Sequence, residues 1–192
     1  MKRIYVFLTD GFEDAEAIGT ISIMRRVGMN VQMVSLMKNR FVKSSQGIEI
    51  GTDLLFNEAD FVDMEALVMP GGPGTPGYLE HEGFVTLVRD FAARGGLIAA
   101  TCAAPSILAK LGLLKGKRAT CFPAPALEEV MMDNDVVHSK KIVEIDGNFI
   151  TSRSPITTPW FALEIIRAIG GEEAAQACRA NYLFDLIEGV QL

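Results

Sequence analysis

A lone cysteine stands where an apolar run meets the start of a helical pattern. Cys102 follows the run LIAAT at 97–101 and precedes two alanines and Pro105. This order predicts a buried strand, a sharp turn at Cys102 and a helix from about Ala104. A thiol at that junction lies beside unpaired backbone N–H groups and the positive end of a helix dipole, and both favour its thiolate. We therefore interpret Cys102 as a nucleophile or redox centre; the alternative is a small apolar residue of the core.

Glu16 is the acidic residue best placed to act with that thiol. It lies in a helix predicted from about Asp14 to Val27, directly after an apolar strand. A carboxyl buried there would have a raised pKa, and its protonated form could donate a hydrogen bond to a thiolate or move a proton on a substrate. The alternative is a surface glutamate. Asp10 and Glu13 have the spacing of a capping box at the start of this helix.

A glycine-rich turn supplies a third candidate. Gly71 and Gly72 lie in the segment PGGPG at 70–74, after another apolar strand. Their backbone N–H groups can approach an anion because no side chain blocks them. With the N–H group of Ala103 they could form an oxyanion hole. The alternative is an ordinary Pro-Gly turn.

The histidines and the other two cysteines do not follow the predicted strands that precede Glu16, the glycine-rich turn and Cys102. His81 lies in a polar segment and His138 in a predicted hairpin strand, so we expect both at the surface. Cys121 and Cys178 are expected to be structural thiols. Since His, Cys and Asp are nowhere grouped with metal-ligand spacing, the sequence predicts no metal and no other cofactor.

The composition excludes several classes of protein. The 192 residues carry a net charge of −6, without the basic footprint of a nucleic-acid-binding protein. Three cysteines without a C-x-x-C pair favour a reducing compartment. The first apolar run ends too early for a signal sequence, and no stretch approaches the roughly 20 apolar residues of a membrane span. We therefore expect a cytoplasmic protein with no membrane partner.

Strands alternate with helices along the chain. Apolar runs at 4–8, 30–36, 66–69 and 97–101 predict core strands, and helical spacing of apolar residues follows the first, third and fourth of them. This alternation predicts one α/β domain over residues 1–192, with a mostly parallel sheet and helices on both faces. Because ligand sites in such sheets lie outside the carboxyl ends of the strands, Glu16, the Gly71-Gly72 turn and Cys102 should meet at one edge.

Shorter elements complete the prediction. Asp146-Gly147 is a strong hairpin signal between strands at 136–144 and 148–151. The apolar residues from Trp160 to Ile169 predict one helix, and 172–179 predict another. Further short pieces are predicted as strands at 42–44, 48–50 and 119–121 and as a helix at 126–132.

Together these motifs resemble the ThiJ/PfpI superfamily. The resemblance rests on GFEDAE at 11–16, MPGG at 69–72 and IAATCAAP at 98–105, supported by MRRVG at 24–28 and TSRSP at 151–155. It spans nearly the whole chain and is strongest with the DJ-one group, the parkinsonism-associated deglycases, and their bacterial members. The three main motifs are specific in this order and at these separations.

The resemblance implies a flavodoxin-like three-layer sandwich and a homodimer with the site near the interface. It implies Cys102 as the reactive, oxidisable nucleophile, Glu16 as its hydrogen-bonding acid, and Gly71, Gly72 and Ala103 as backbone donors. The implied activity is that of a cofactor-free glyoxalase or deglycase on small aldehydes or early protein glycation adducts, in carbonyl or oxidative stress defence. The group is also described as containing peroxide-responsive redox sensors and chaperones, which keeps a second function open.

The chain departs from the superfamily pattern at several positions. Ala103 follows Cys102 where the peptidase-like branch has histidine, so protease activity is not expected. Phe122-Pro123 stand where the human-type member has a histidine near the site, so no histidine is assigned to catalysis. Gln46 replaces an anion-binding arginine. The loop Ser154-Pro155-Ile156 is bulkier than the usual Gly-Pro-Gly and should reshape the pocket.

Overall fold

A seven-stranded sheet forms the centre of the molecule. The computed structural model describes residues 3–188. In spatial order the strands are β10 (Val143–Asp146), β11 (Phe149–Ser152), β7 (Leu97–Thr101), β6 (Met64–Met69), β1 (Arg3–Leu8), β2 (Val31–Ser35) and β5 (Leu54–Leu55). All neighbours are parallel except β10 and β11. The predicted mostly parallel sheet is therefore confirmed.

Helices and two small sheets surround this centre. The helices are α1 (Asp14–Arg26), α2 (Gly77–Glu80), α3 (Glu82–Ala93), α4 (Ala104–Lys110), α5 (Pro125–Asp133), α6 (Thr158–Asn181) and α7 (Phe184–Glu188). The small sheets pair β3 (Phe41–Lys43) with β4 (Glu49–Gly51), and β8 (Arg118–Ala119) with β9 (Val137–His138). Short 3-10 turns lie at Phe56–Glu58 and Pro155–Thr157.

Each face of the sheet carries its own hydrophobic core. On one face, side chains of α1 such as Met24 pack with side chains of α6 such as Phe161. On the other face, Phe84 of α3 and Leu108 of α4 pack with Met131 of α5. Residues of β1 alternate between the two cores, so this strand is buried on both faces, as its apolar run predicts. These three layers confirm the predicted sandwich.

One feature of the second half differs from the sequence prediction. The hairpin at Asp146-Gly147 is present, but the strand predicted at 136–144 is broken into β9 and β10. The polar stretch 139–141 separates them, and β9 pairs in parallel with β8 instead of continuing the hairpin. The two helices predicted around Gly170-Gly171 are present: both lie within α6, where non-helical backbone at Gly171 divides them.

The carboxyl ends of β1, β6 and β7 lie together, and hydrogen bonds join the segments that follow β1 and β6. The Glu13 N–H donates to the Gly71 carbonyl at 3.0 Å, and the Gly74 N–H donates to the Gly11 carbonyl at 3.0 Å. The Thr9 hydroxyl also donates to the Gly74 carbonyl at 2.9 Å. These bonds hold the turn after β6 against the loop before α1, where the predicted site residues converge.

Candidate active site

Cys102 occupies a strained turn between β7 and α4. Its φ of 61° is in the left-handed region, which costs free energy in a residue with a side chain and occurs mainly where surrounding structure enforces it. Here the enforcing contacts are on both sides of the residue. The Cys102 N–H donates to the Ser152 carbonyl at 3.0 Å, and the Cys102 carbonyl accepts from the Phe122 N–H at 2.8 Å. The residue is buried, with 8% of its surface exposed.

Glu16 lies inside the molecule and reaches the same place from α1. Its side chain is fully buried, and Oε2 accepts the Gly71 N–H at 2.8 Å. The carboxyl also hydrogen-bonds the Cys102 side chain. Within residues 3–188, no partner of ordinary hydrogen-bond geometry meets Oε1. The alternative of a surface glutamate is therefore excluded.

The start of α1 differs in detail from the predicted capping box. Glu13 is the N-cap residue, and its Oε2 accepts the N–H of Glu16 at 2.7 Å. Asp10 instead accepts the Lys43 N–H at 2.9 Å, because its loop turns toward β3 before the helix begins. The cap fixes the first turn of α1 directly at Glu16, and so contributes to the placement of its carboxyl.

The proton affinities of the thiol and the carboxyl are coupled. Burial raises the pKa of Glu16 from its ordinary 4.5 to about 7, against the lowering effect of hydrogen bonds with Cys102 and Gly71. Burial also raises the pKa of the Cys102 thiol, and the charge of the Glu16 carboxylate raises it further. The predicted lowering of the Cys102 pKa is therefore wrong, because the N–H groups of Gly72 and Ala103 do not outweigh these two effects.

The backbone donors divide into two roles. Hydrogen bonds from Gly72 and Ala103 reach the Cys102 sulfur, as expected for groups that stabilise negative charge there. The Gly71 N–H is directed to Glu16 and is not free for an oxyanion. Gly71 also has no room for a side chain, since a Cβ would lie 2.6 Å from Cβ of Cys102 and 2.8 Å from Oε2 of Glu16. This turn is therefore more than an ordinary surface turn.

Both histidines are partly exposed, in keeping with the predicted surface placement, and neither hydrogen-bonds Cys102 in the described part of the chain. His81 is half-buried and caps α3, with Nδ1 accepting the Phe84 N–H at 3.0 Å. His138 is half-buried on β9, with Nε2 3.8 Å from the sulfur of Cys121. The side-chain contacts of the two histidines have no local signal in the sequence, because they depend on the start of α3 and on the pairing of β9 with β8.

The other two cysteines are buried and unbonded to one another. Cys121 lies in the core beside α4 and α5, and Cys178 in the core beside α6. Burial raises the pKa of both thiols, for Cys121 to about 11. Across residues 3–188, His, Cys, Asp and Glu nowhere form a group of three that could hold a metal ion. In the same range no helix has the length and hydropathy to cross a membrane.

Three residues at which the chain departs from the superfamily pattern are exposed to different degrees. Gln46 is exposed in the turn between β3 and β4. Phe122 is partly exposed and contacts Cys102 through its backbone. Ile156 is strongly exposed on the 3-10 turn that follows β11. A buried residue that the sequence did not indicate, Tyr78, hydrogen-bonds the carbonyl of Pro70 beside Gly71.

Comparisons with known proteins agree with this architecture. The model of the DJ-1/PfpI family matches residues 2–168. Protein dj-1beta of Drosophila melanogaster is 35% identical over 176 residues, which cover 91% of this chain and 93% of that protein. Its crystal structure superposes with a TM-score of 0.88 and covers 95% of this chain and 97% of the other.

More distant relatives extend the likeness. Protein/nucleic acid deglycase 2 of Escherichia coli is 29% identical, covering 88% of this chain and 98% of that protein. A structure described as Toxoplasma gondii DJ-1, oxidized, is 27% identical with a TM-score of 0.87, covering 95% of this chain and 98% of the other. The expected closeness to bacterial members stays a prediction, since an insect protein matches at higher identity than this bacterial one.

Proposed function

Because this chain belongs to the DJ-1/PfpI family and buries a carboxyl against the thiol of a strained turn, we propose that it is a cysteine-dependent glyoxalase or deglycase. Its substrates would be small reactive aldehydes or early glycation adducts of proteins, and its role would be in carbonyl or oxidative stress defence. We further propose that it acts in the cytoplasm as a homodimer, without metal or cofactor. The Escherichia coli relative that carries the name deglycase supports the reaction class.

One observation carries this proposal: a fully buried carboxyl whose pKa is raised to about 7 hydrogen-bonds a thiol. A group with a pKa near the working pH can both take up and release a proton during turnover. Its burial, rather than a second titrating partner, is the main cause of the shift. Aldehyde isomerisation requires such a group, because a proton must leave one carbon and return to the next.

The first step joins the thiol to the aldehyde. As the Cys102 sulfur attacks the aldehyde carbon of a 2-oxoaldehyde, the Glu16 carboxylate accepts the thiol proton and then gives it to the new alkoxide. The product is a hemithioacetal. The N–H groups of Gly72 and Ala103, which hydrogen-bond the sulfur, stabilise the negative charge that it carries during attack.

The second step moves a proton along the substrate. Glu16 removes the proton from the carbon bonded to sulfur, which gives an enediolate, and returns it to the neighbouring carbon. The hydroxyl proton of the first carbon passes to the oxygen of the second, so the first carbon becomes a thioester carbonyl and the second an alcohol. Water then cleaves the thioester, which releases a 2-hydroxy acid and restores the thiol. On a glycated protein, attack at the carbon that carries the amine would release that amine and enter the same sequence.

A protease reaction is not proposed. Peptide cleavage by a cysteine requires a group that protonates the leaving amine, usually a histidine next to the nucleophile. Ala103 occupies the following position, His138 is directed to Cys121, and His81 caps α3.

The test is the loss of methylglyoxal and the formation of lactate by the purified protein. We expect Cys102→Ala to abolish turnover, and Glu16→Gln to lower kcat by at least about 100-fold, as for a general acid–base group. Cys178→Ala is the matched control, because it removes a buried thiol remote from the site in sequence and fold, and it should retain activity. Equal rates in wild type and Cys102→Ala would contradict the proposal.

A second candidate function is peroxide sensing, alone or with chaperone activity. The Cys102 thiolate would attack hydrogen peroxide, forming a sulfenate with loss of water, and a second peroxide would give a sulfinate. The backbone N–H groups at the sulfur suit an oxidised, negatively charged cysteine. The related Toxoplasma structure is described as oxidized, which supports this candidate.

Peptide mapping after mild peroxide treatment tests the sensor. Cys102 should gain oxygen first, because it is partly accessible whereas Cys121 and Cys178 are fully buried. Oxidation of either buried cysteine before Cys102 would reject this candidate. An oxidisable Cys102 in a protein without methylglyoxal turnover would favour the sensor over the enzyme.

A further inference from the structure

Tyr78 is a buried tyrosine that touches the site through one peptide group. Its side chain is 1% exposed, and its hydroxyl lies 2.9 Å from the Phe7 carbonyl and 3.0 Å from the Pro70 carbonyl. A phenol has a single proton, so the two carbonyls share it. The hydroxyl therefore connects β1 to the turn that follows β6.

The Pro70 carbonyl and the Gly71 N–H belong to the same peptide group. That group is planar and trans, so its C=O and N–H point in opposite directions and move together. At one end the carbonyl accepts from Tyr78; at the other, the N–H donates to Oε2 of Glu16 at 2.8 Å. A change in the direction of the carbonyl must therefore change the direction of the N–H.

The same arrangement also couples the two hydrogen bonds electronically. A donor at the carbonyl oxygen polarises the amide, which makes its N–H a stronger donor. The chain O–H···O=C–N–H···Oε2 thus strengthens the bond that favours the ionised form of Glu16. It is buried along its whole length, where water does not weaken this polarisation.

We propose that Tyr78 is a positioning residue for Glu16: its hydroxyl orients and polarises the Pro70–Gly71 peptide group, and that group sets the direction and proton affinity of the carboxyl. This inference rests on the role of Glu16 in the proposed function. The effect of Tyr78 is transmitted through the backbone of the turn.

The titratable groups that act on Glu16 are few. They are Cys102, which hydrogen-bonds the carboxyl, Glu13, whose charge raises the pKa of Glu16, and Tyr78, whose own pKa is raised by burial and then by the charge of Glu16. Replacement of Tyr78 by phenylalanine leaves Cys102 and Glu13 in place and removes only the hydroxyl. A changed titration of Glu16 in that variant is then assigned to the lost donor.

The experiment is a carbon-13 NMR titration of the Glu16 carboxyl in the full chain, assigned with Glu16→Gln. Tyr78→Phe should raise the midpoint of Glu16 by about 0.5 pH unit, because the bond from Gly71 is weakened but not removed. Tyr5→Phe is the matched control. Tyr5 is also fully buried, and its hydroxyl donates to a backbone carbonyl, that of Asp60 at 2.6 Å, at the opposite end of β1.

A second arm of the experiment strengthens the hydrogen-bond donor at Tyr78 instead of removing it. Biosynthetic 3-fluorotyrosine is a more acidic phenol and hence a stronger donor. The chain has three tyrosines, so a background with both Tyr5→Phe and Tyr182→Phe confines the label to Tyr78, where it should lower the Glu16 midpoint. An unchanged midpoint in both arms, or an equal shift in Tyr5→Phe, would overturn the inference. If Tyr78→Phe does not fold, the fluorotyrosine arm alone decides. The readout is a titration, so absence of methylglyoxal turnover would reject the proposed function and leave this result standing.

Discussion

At the scale of single residues, the buried carboxyl of Glu16 makes the folded state bind a proton more tightly than the unfolded chain does. The pKa of this group is about 7 in the folded protein and 4.5 in its ordinary state, with burial as the main cause. Between those two values the folded state holds more protons than the unfolded state. Stability contributed by the neutral carboxyl is therefore complete below about pH 4.5 and falls as pH rises toward 7.

Glu16→Gln should remove this pH-dependent loss. Relative to wild type, the free energy of unfolding of the variant should increase by about 3 kcal/mol between pH 4.5 and pH 8, since glutamine remains neutral throughout. Urea unfolding at four pH values in this window measures the difference. A difference that does not change with pH would show that Glu16 has no raised pKa in the folded protein.

Glu144→Gln provides a contrast of opposite sign. Glu144 is also buried, but hydrogen bonds from Ser139 and Lys141 and the charge of Arg118 outweigh burial and lower its pKa. Its ionised form contributes stability above the ordinary pKa, and that stability is lost as pH falls. The deficit of Glu144→Gln should consequently grow as pH rises to about 4.5 and stay constant above it. The gain of Glu16→Gln should instead grow between pH 4.5 and pH 8.

Gly71→Ala tests the close approach at the centre of the site. The new Cβ would lie 2.6 Å from Cβ of Cys102 and 2.9 Å from the Thr101 carbonyl, so the turn and the strand end must separate. We expect a loss of about 1–3 kcal/mol in unfolding free energy. Because the separation also weakens the bond to Glu16, the alkylation rate of Cys102 should change at fixed pH.

Gly51→Ala is the control for that substitution. Its Cβ would meet only the Phe41 ring, at 3.6 Å, which is an ordinary contact, and its backbone is extended in β4. It should leave the alkylation rate of Cys102 unchanged. If Gly51→Ala lost as much stability as Gly71→Ala and changed the alkylation rate of Cys102 equally, the effect at Gly71 would not be specific to the site.

At the scale of secondary structure, the break in α6 depends on one backbone conformation. Gly171 has φ 78° and ψ −177°, a region that is essentially limited to glycine. Nothing lies within 4 Å of the position of its missing Cβ, so crowding is not the reason for glycine there. The conformation itself excludes other residues, and it turns the chain so that Cys178 returns to the core.

Gly171→Ala should therefore destabilise the protein by about 1–3 kcal/mol through backbone strain alone. Gly171→Asn should cost a similar amount, although asparagine tolerates the ordinary left-handed helical region better than alanine does. Thermal unfolding of the two variants measures this. A clearly milder effect of asparagine would indicate that the backbone at this position relaxes to the left-handed helical region.

The elements near the site could be predicted because their signals are local. The runs of β1, β6 and β7 and the helices after β1 and β7 follow from apolar periodicity, and parallel pairing brings their carboxyl ends together. The pairing of β9 with β8, which directs His138 to Cys121, joins residues 19 positions apart, such as Arg118 and Val137, and has no local signal. Burial of Tyr78 against Phe7 is likewise a contact between distant segments.

The electrostatic prediction failed for a related reason. The helix start beside Cys102 is visible in the sequence, whereas the depth of its burial and the nearness of a carboxylate are not. Desolvation and a like charge are three-dimensional quantities, and here they exceed the effect of two N–H groups. The roles proposed for Cys102, Glu16 and the backbone donors remain predictions about chemistry.

At the scale of the whole molecule, the sheet separates two hydrophobic cores that each contain one buried cysteine. Cys121 lies in the core of α3, α4 and α5, and Cys178 in the core of α1 and α6. Both are fully buried. Each thiol therefore reports the opening of its own layer, and the strands of the sheet contribute side chains to both layers.

If residues 1–192 form one domain, as the sequence predicts, the two layers should open together. In a Cys102→Ala background, thiol labelling of Cys121 and Cys178 in increasing urea should give the same free energy of opening and the same urea dependence, because each strand such as β1 packs on both sides. Mass spectrometry of labelled peptides resolves the two sites. Free energies that differ by more than about 1 kcal/mol would show that one layer opens separately, and the prediction of a single cooperative domain would then be wrong. The turn at Cys102 follows β7 and is hydrogen-bonded to the end of β11, and both strands belong to the sheet that the two cores share. Equal free energies of opening would therefore mean that the stability of both cores holds the backbone of Cys102 in its strained conformation.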